Sequence, residues 1–133
     1  MGVGLLDTSV VIELGQARAP VPLPTESMVS AVTLAELAYG IPMAPDPLES
    51  MRRAQVYARV TAWIAPVPFD AAAADKYGEL VALVKQAGRS PRPRRLDLMI
   101  AATAAALGVP LYTRDRAAFG GLEPLVEVVL VTP

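Results

Sequence analysis

The chain has 133 residues, with 12 basic and 13 acidic side chains, no histidine and no cysteine. Lacking cysteine, it has no disulfides, zinc ribbons or thiolate nucleophiles; lacking histidine, it has no Ser-His triad, no imidazole base and none of the usual nitrogen ligands of zinc or copper. Hydrolytic chemistry must then rest on carboxylates, hydroxyls, a lysine or a metal, and a net charge of −1 supplies no global positive field for nucleic acid.

Val3 to Leu6 is a continuous apolar run, suited to a strand buried on both faces. Asp7 and Thr8 offer an N-cap for a short helix over Ser9 to Leu14, stopped at Gly15. Ala19 to Pro24 holds prolines at every second position and reads as loop. Met28 to Val32 is expected as the second strand. It runs into Thr33-Leu34-Ala35-Glu36, a capping-box spacing that opens a helix through Tyr39 and Gly40. Pro42, Pro45 and Pro47 mark another loop. Leu48 to about Trp63 has helical character, with Met51, Val56, Val60 and Trp63 expected to face inward.

Pro66 and Pro68 limit Ile64 to Phe69 to an edge strand. Asp70 is placed to cap the next helix, on which Tyr77, Leu80, Val81 and Val84 form one stripe. Gly88 to Pro93 is a basic, proline-punctuated loop. Asp97 is expected to begin an apolar helix over Leu98 to Leu107, ended by Gly108. Val109 to Thr113 reads as a strand, Arg114 to Phe119 as a turn or short helix, and Val126 to Val131 as the last strand. Strands alternating with helices predict a single α/β domain over residues 1–133, with a mostly parallel sheet.

The bulk properties add two expectations. Apolar residues make up 53% of the chain and mean hydropathy is +0.41, rich enough to predict a face covered by a second copy or another protein. The start has no basic n-region, and the longest uncharged run, Leu98 to Thr113, falls short of the ~18 to 20 apolar residues of a spanning helix. A cytoplasmic protein with no membrane span is expected.

Ligands of such sheets collect at the carboxyl ends of the strands. Asp7 follows the first strand directly and Asp115 lies two residues beyond the fourth. Glu36 sits one turn into the helix after strand two, and Asp97 opens another helix. Each acid also has a plain structural reading. Asp7 serves as an N-cap, Glu36 as the N3 acid of a Thr33 capping box, Asp97 as a charge favoured by a helix N-terminus, and Asp115 as a turn residue. Five basic residues and no acid lie between Lys85 and Arg95. Arg92, Arg94 and Arg95 precede Asp97, and Arg114 and Arg116 bracket Asp115, so these five are candidate contacts to nucleic-acid phosphates or, equally, a solvated basic loop or a contact to a partner protein. Tyr112, Phe119 and Trp63 read as core.

At these acids the sequence resembles a PIN domain and, within that family, the VapC-type toxins of toxin–antitoxin pairs. Leu5-Leu6-Asp7-Thr8-Ser9-Val10-Val11 resembles the opening strand and first acid, and Thr33-Leu34-Ala35-Glu36-Leu37 the second acidic motif. Asp97-Leu98-Met99-Ile100-Ala101-Ala102-Thr103-Ala104 resembles the third, and Leu111-Tyr112-Thr113-Arg114-Asp115 with Phe119 the fourth. Residues 41–90 match only in coarse helical pattern. The resemblance implies a three-layer sandwich with a five-stranded sheet flanked by helices, endoribonuclease activity, and a homodimer neutralised by an antitoxin whose C-terminal segment covers the active site.

Four carboxylates meeting without a metal would repel, and a divalent cation relieves that. Hard oxygen donors with no nitrogen or sulfur favour Mg2+, with Mn2+ as substitute. The expected roles are metal contact for Asp7 and Asp97, direct or water-mediated contact for Asp115, and orientation of the attacking water by Glu36. Thr8 and Thr113 are expected to hydrogen-bond a carboxylate or a bound water. The rival reading is a catalytically silent PIN-like module that binds RNA or protein. Phosphoaspartyl enzymes fit poorly, since Ser9 stands where the haloacid-dehalogenase-like pattern has its second Asp, and Lys85 is the last lysine.

Overall fold

The alternation of a strand sends Leu5 and Leu6 of β1 (Val3–Leu6) to opposite faces, and both are fully buried. The structure, a computed structural model, describes residues 2–15 and 22–131. Leu5 belongs to a core with Leu80, Val84, Leu98, Ile100, Leu111 and Phe119. Leu6 belongs to a second core with Val10, Val11, Val29 and Val60. A strand apolar on both sides thus becomes the centre of a three-layer sandwich.

The remaining strands are β2 (Glu26–Ser30), β3 (Pro66–Val67), β4 (Leu111–Thr113) and β5 (Val128–Leu130). All four strand pairings are parallel, in the order β3-β2-β1-β4-β5. The mostly parallel sheet of the sequence reading is wholly parallel among the described residues. The proline-limited β3 lies at the edge, where a missing N–H costs no ladder bond. The chain runs outward from β1 through β2 to β3, then returns to the other side of β1 with β4. Between β1 and β4 the strand order reverses, which opens a crevice at their carboxyl ends.

The helices are α1 (Thr8–Gly15), α2 (Ala31–Gly40), α3 (Pro47–Trp63), α4 (Ala71–Gln86) and α5 (Arg95–Leu107), with short 3-10 turns at Arg92–Arg94 and Arg116–Phe119. Asp70 caps α4 through the Ala73 N–H, and Gly108 ends α5 at φ 70°, both as expected. None of the helices among the described residues is long and apolar enough to cross a membrane.

Four expectations are corrected. The second strand ends at Ser30, and α2 begins at Ala31, because the buried Ser30 hydroxyl accepts the Val32 N–H and caps the helix. Thr33 is therefore inside the helix, and the Thr33–Glu36 capping box does not form. Helix α5 begins at Arg95, which makes Asp97 a residue of its first turn. Met51 and Trp63 point outward, 53% and 85% exposed, so Trp63 is not core; Val60 alone of the expected α3 positions is fully buried. The predicted proline loop at 19–24 lies partly outside the described residues.

Gly15 ends α1 where it crosses α3, and an added Cβ would lie 2.6 Å from Val56 Cγ1. Helix propensity favours alanine there by up to ~1 kcal/mol, whereas forcing a methyl into a stiff β-branched neighbour costs ~1 to 3 kcal/mol. Gly15→Ala is expected to lower stability by about 1 kcal/mol or more, with a smaller loss in a Val56→Ala background. Urea unfolding of the four-member cycle checks this, and strict additivity would contradict it.

Candidate active site

Asp7 is the residue that β1 delivers to the crevice, only 5% exposed. Its backbone N–H donates to Tyr112 O of β4 at 2.9 Å, which pins it across the seam. A buried carboxylate needs donors, and the local sequence supplies two and β4 a third. Oδ1 accepts Ser9 Oγ–H at 2.6 Å and Val10 N–H at 3.1 Å, the second being an N-cap bond to α1. Oδ2 accepts Thr113 Oγ–H at 2.5 Å. Asp7 is thus both helix cap and site residue.

Thr113 is fully buried at the end of β4, and its oxygen also accepts the Asp115 N–H at 3.0 Å. Asp115 is exposed and caps the following 3-10 turn through Ala118 N–H at 3.3 Å. Glu36 projects from α2 and accepts Thr8 Oγ1–H at 2.6 Å. The Thr8 proton is committed there, so the buried Thr33 hydroxyl, 3.2 Å away, donates to Thr8. Freed from the capping box, Glu36 faces α1 and the crevice instead of its own helix end.

Asp97 is half-buried on α5. Burial, then the carboxylates of Glu36 and Asp7, push its carboxyl above the ordinary range; Arg94 opposes this and Asp115 adds to it. The other three predicted acids are therefore within electrostatic reach of Asp97. As the side chains stand, no group of three acids among the described residues closes tightly enough to hold an ion. The donor set nonetheless fits a hard divalent cation, being all carboxylate and hydroxyl oxygen with a surplus of negative charge.

The predicted basic residues divide. Arg94 Nη1 donates to Ala118 O at 3.0 Å, and Arg114 Nη1 lies 2.6 Å from Glu13 Oε1, a contact held by charge since its N–H is not aimed at the oxygen. Arg92, Arg95 and Arg116 are exposed and have no ion pair or side-chain hydrogen bond among the described residues. Sequence reasoning passed over three participants, namely Ser9, Thr33 and Glu13. A hydroxyl two residues after an N-cap Asp was the available signal for Ser9; Thr33 was hidden by its capping-box spacing. Beside Thr8 and Glu36 opens a groove of about 780 Å³ between α1, α2 and α3, with apolar Ile12, Leu37 and Val56 and basic Arg52, Arg53 and Arg59 in its walls.

Comparison with known proteins gives the family. The PIN domain family model matches residues 4–120. Ribonuclease VapC8 of Mycobacterium tuberculosis is 36% identical over 104 residues, covering 78% of this chain and 92% of its own length. Ribonuclease VapC5 of the same organism is 35% identical over 131 residues, covering 96% and 93%. The crystal structure of M. tuberculosis VapBC-5, a member of the VapBC family of toxin–antitoxin systems, is similar with a TM-score of 0.81 and 30% identity over 98% of this chain and 99% of that one.

The raised Asp97 carboxyl has a consequence for stability. The folded chain holds this proton to higher pH than the unfolded chain does, so its contribution is fully present below the unfolded pKa and is lost as pH rises through the folded one. In chelator, Asp97→Asn is expected to be more stable than the native chain at neutral pH, with the difference vanishing at acid pH. Urea unfolding across that range checks it; an Asn variant weaker than native at neutral pH would contradict the electrostatics.

Proposed function

The chain belongs to the PIN domain family and to its VapC branch, and on that footing we propose that it is a Mg2+-dependent endoribonuclease, the toxin half of a toxin–antitoxin pair. What supports this most directly is the match to VapC ribonucleases over nearly the whole chain, together with an Asp97 carboxyl raised first by burial and then by Glu36, Asp7 and Asp115 from separate segments. Each acid has a structural excuse alone; the repulsion that three of them exert on Asp97 has none, because it costs stability. The relatives named as ribonucleases supply the substrate class, and cellular RNA puts the work in the cytoplasm.

In this reading Asp7, Asp97 and Asp115 hold the ion and Glu36 orients the attacking water. Mg2+ or Mn2+, when bound, activates water and offsets charge on the phosphate. The residues of the chain do the positioning. Asp7 is fixed at both oxygens. Of its four acceptor sites, two on Oδ1 and one on Oδ2 are filled, so a single lone pair on Oδ2 is left for the ion. Glu36, steered by Thr8 and Thr33, keeps Oε2 free to accept a proton from water at the crevice.

The partner follows from the groove and from the toxin–antitoxin system that is similar in structure. Apolar walls opening beside Glu36 suit the apolar face of an amphipathic antitoxin segment that reaches the acids and blocks them. Tyr39, Met43, Leu48 and Met51, exposed at the end of α2 and the start of α3, offer further apolar surface for that partner or for a homodimer.

Two outcomes test the proposal. Asp7→Asn is expected to fold, since its remaining carbonyl oxygen can still cap α1, but to turn an N–H toward the ion. Cleavage of labelled RNA should fall by more than the ~10- to 100-fold typical of losing an outer-sphere partner, as it should for Asp97→Asn and for the native chain in chelator, with Mg2+ or Mn2+ restoring only the native chain. RNA binding without cleavage under all these conditions would make the chain a silent binding module. Second, in an Asp7→Asn background, Arg92→Ala, Arg95→Ala or Arg116→Ala should each reduce the salt slope of RNA binding by ~0.7. Arg94→Ala and Arg114→Ala should chiefly lower stability. Equal slopes for both groups would remove the phosphate role.

A further inference from the structure

No hydrogen bond joins Asp7 to Asp115 directly, yet two hydroxyls lie between them. Thr113 bridges the Asp7 carboxylate and the Asp115 N–H. Ser9 makes a second bridge one residue earlier: it donates to Asp7 Oδ1 and accepts the Arg114 N–H at 3.1 Å. A hydroxyl has one proton and a backbone N–H cannot accept, so the direction of all four bonds is fixed. Each proton ends on Asp7, and each N–H comes from the loop that carries Asp115. The bridges join residues more than a hundred positions apart in the chain, across the seam where the strand order reverses.

We propose that Ser9 is a positioning residue of the metal site, clamping the Asp7 carboxylate and the Arg114–Asp115 loop into one unit so that an ion engaged by one acid is felt by the other. The proposal rests on the reading that these carboxylates hold a divalent ion. Ser9 touches neither ion nor substrate; it acts through Asp7 Oδ1. Its bond to Oδ1, with that of Val10, saturates this oxygen and leaves Oδ2 alone to face the ion. Without Ser9, Oδ1 regains a lone pair, the carboxylate is free to tilt about its remaining bonds, and the Arg114 N–H loses its acceptor.

The test uses the full chain, with Mn2+ affinity measured by titration and backbone amide exchange followed by NMR with and without Mg2+. Ser9→Ala is expected to weaken Mn2+ binding about tenfold, in the range for lost outer-sphere partners. It should also speed exchange at the Arg114 N–H selectively, leaving core amides in chelator at their native rates. Mg2+ should slow Arg114 exchange in the native chain and not in Ser9→Ala. Ser9→Thr and Ser9→Val have nearly the same shape and differ by one hydroxyl, so Thr should behave as native and Val as Ala; this pair decides the matter if Ser9→Ala does not fold. A Val or Ala variant that binds Mn2+ with native affinity and keeps Arg114 protected overturns the role of Ser9 while the metal site stands. A native chain that binds no Mn2+ overturns both.

Discussion

A buried carboxylate at the end of the central strand is the constraint around which this molecule is arranged. Asp7 is nearly inaccessible to water, and an unpaired ion there would cost several kcal/mol. The chain meets that cost with hydrogen bonds instead of a counter-ion. Two hydroxyls and one helix N-terminal N–H satisfy three of its four acceptor sites. Because those donors come from α1 and β4, satisfying Asp7 requires α1 to start immediately after β1 and β4 to lie beside it. The same bonds that make the charge tolerable therefore set the crevice. A lysine or arginine in their place would have neutralised Asp7 and left nothing for a cation to bind.

Arginine is used elsewhere, at carbonyl groups. Arg59 and Arg53 of α3 donate to Gly15 O and Gly40 O, the last carbonyls of α1 and α2, at 2.5 and 2.7 Å. Arg89 and Arg94 do the same for Gly120 O and Ala118 O in the segment after Asp115. Helix ends leave carbonyls without intrahelical partners, and a cation near them is favoured by the dipole as well. The result is that α3 ties down the C-terminal ends of the two helices that carry Thr8 and Glu36, while the basic loop before α5 ties down the turn that follows Asp115. These guanidinium groups are thus oriented by backbone carbonyls, and Arg94 is the one among them that eases Asp97.

Much of this was legible in the sequence, because the signals involved are local. The apolar run before Asp7, the proline-limited edge strand, the Asp70 cap and the αL glycine after α5 each depend on a few adjacent residues. The order of four acidic motifs suggested that they meet, and three of them act on the Asp97 carboxyl. What failed were choices between two locally equivalent options. Ser30 and Thr33 are both competent N-caps, and the structure chooses Ser30 because the chain must leave the sheet as soon as β2 has passed beside β1. Trp63 sits at a helical spacing that fits an inward stripe, but α3 covers the sheet only through its Val56 and Val60 side. Which arginines are engaged was invisible, since their carbonyl acceptors lie 13 to 44 residues away.

The four acids differ in how firmly they are held, and the difference has a direction. Asp7 is fixed by bonds at both oxygens, whereas Asp97 accepts no hydrogen bond among the described residues and carries the electrostatic strain of the group. A site in which every carboxylate was as well satisfied as Asp7 would be stable without a cation and would gain little by binding one. A site in which none was satisfied would cost too much of the ~5 to 15 kcal/mol that separates folded from unfolded chains. Dividing the labour resolves the conflict. Asp7 supplies a fixed reference oxygen, and Asp97, Glu36 and Asp115 retain unspent acceptor capacity, with a repulsion on Asp97 that a proton or a bound cation relieves. In the proposed metal site, affinity for the ion would draw on the charge that the hydroxyls around this crevice leave uncompensated.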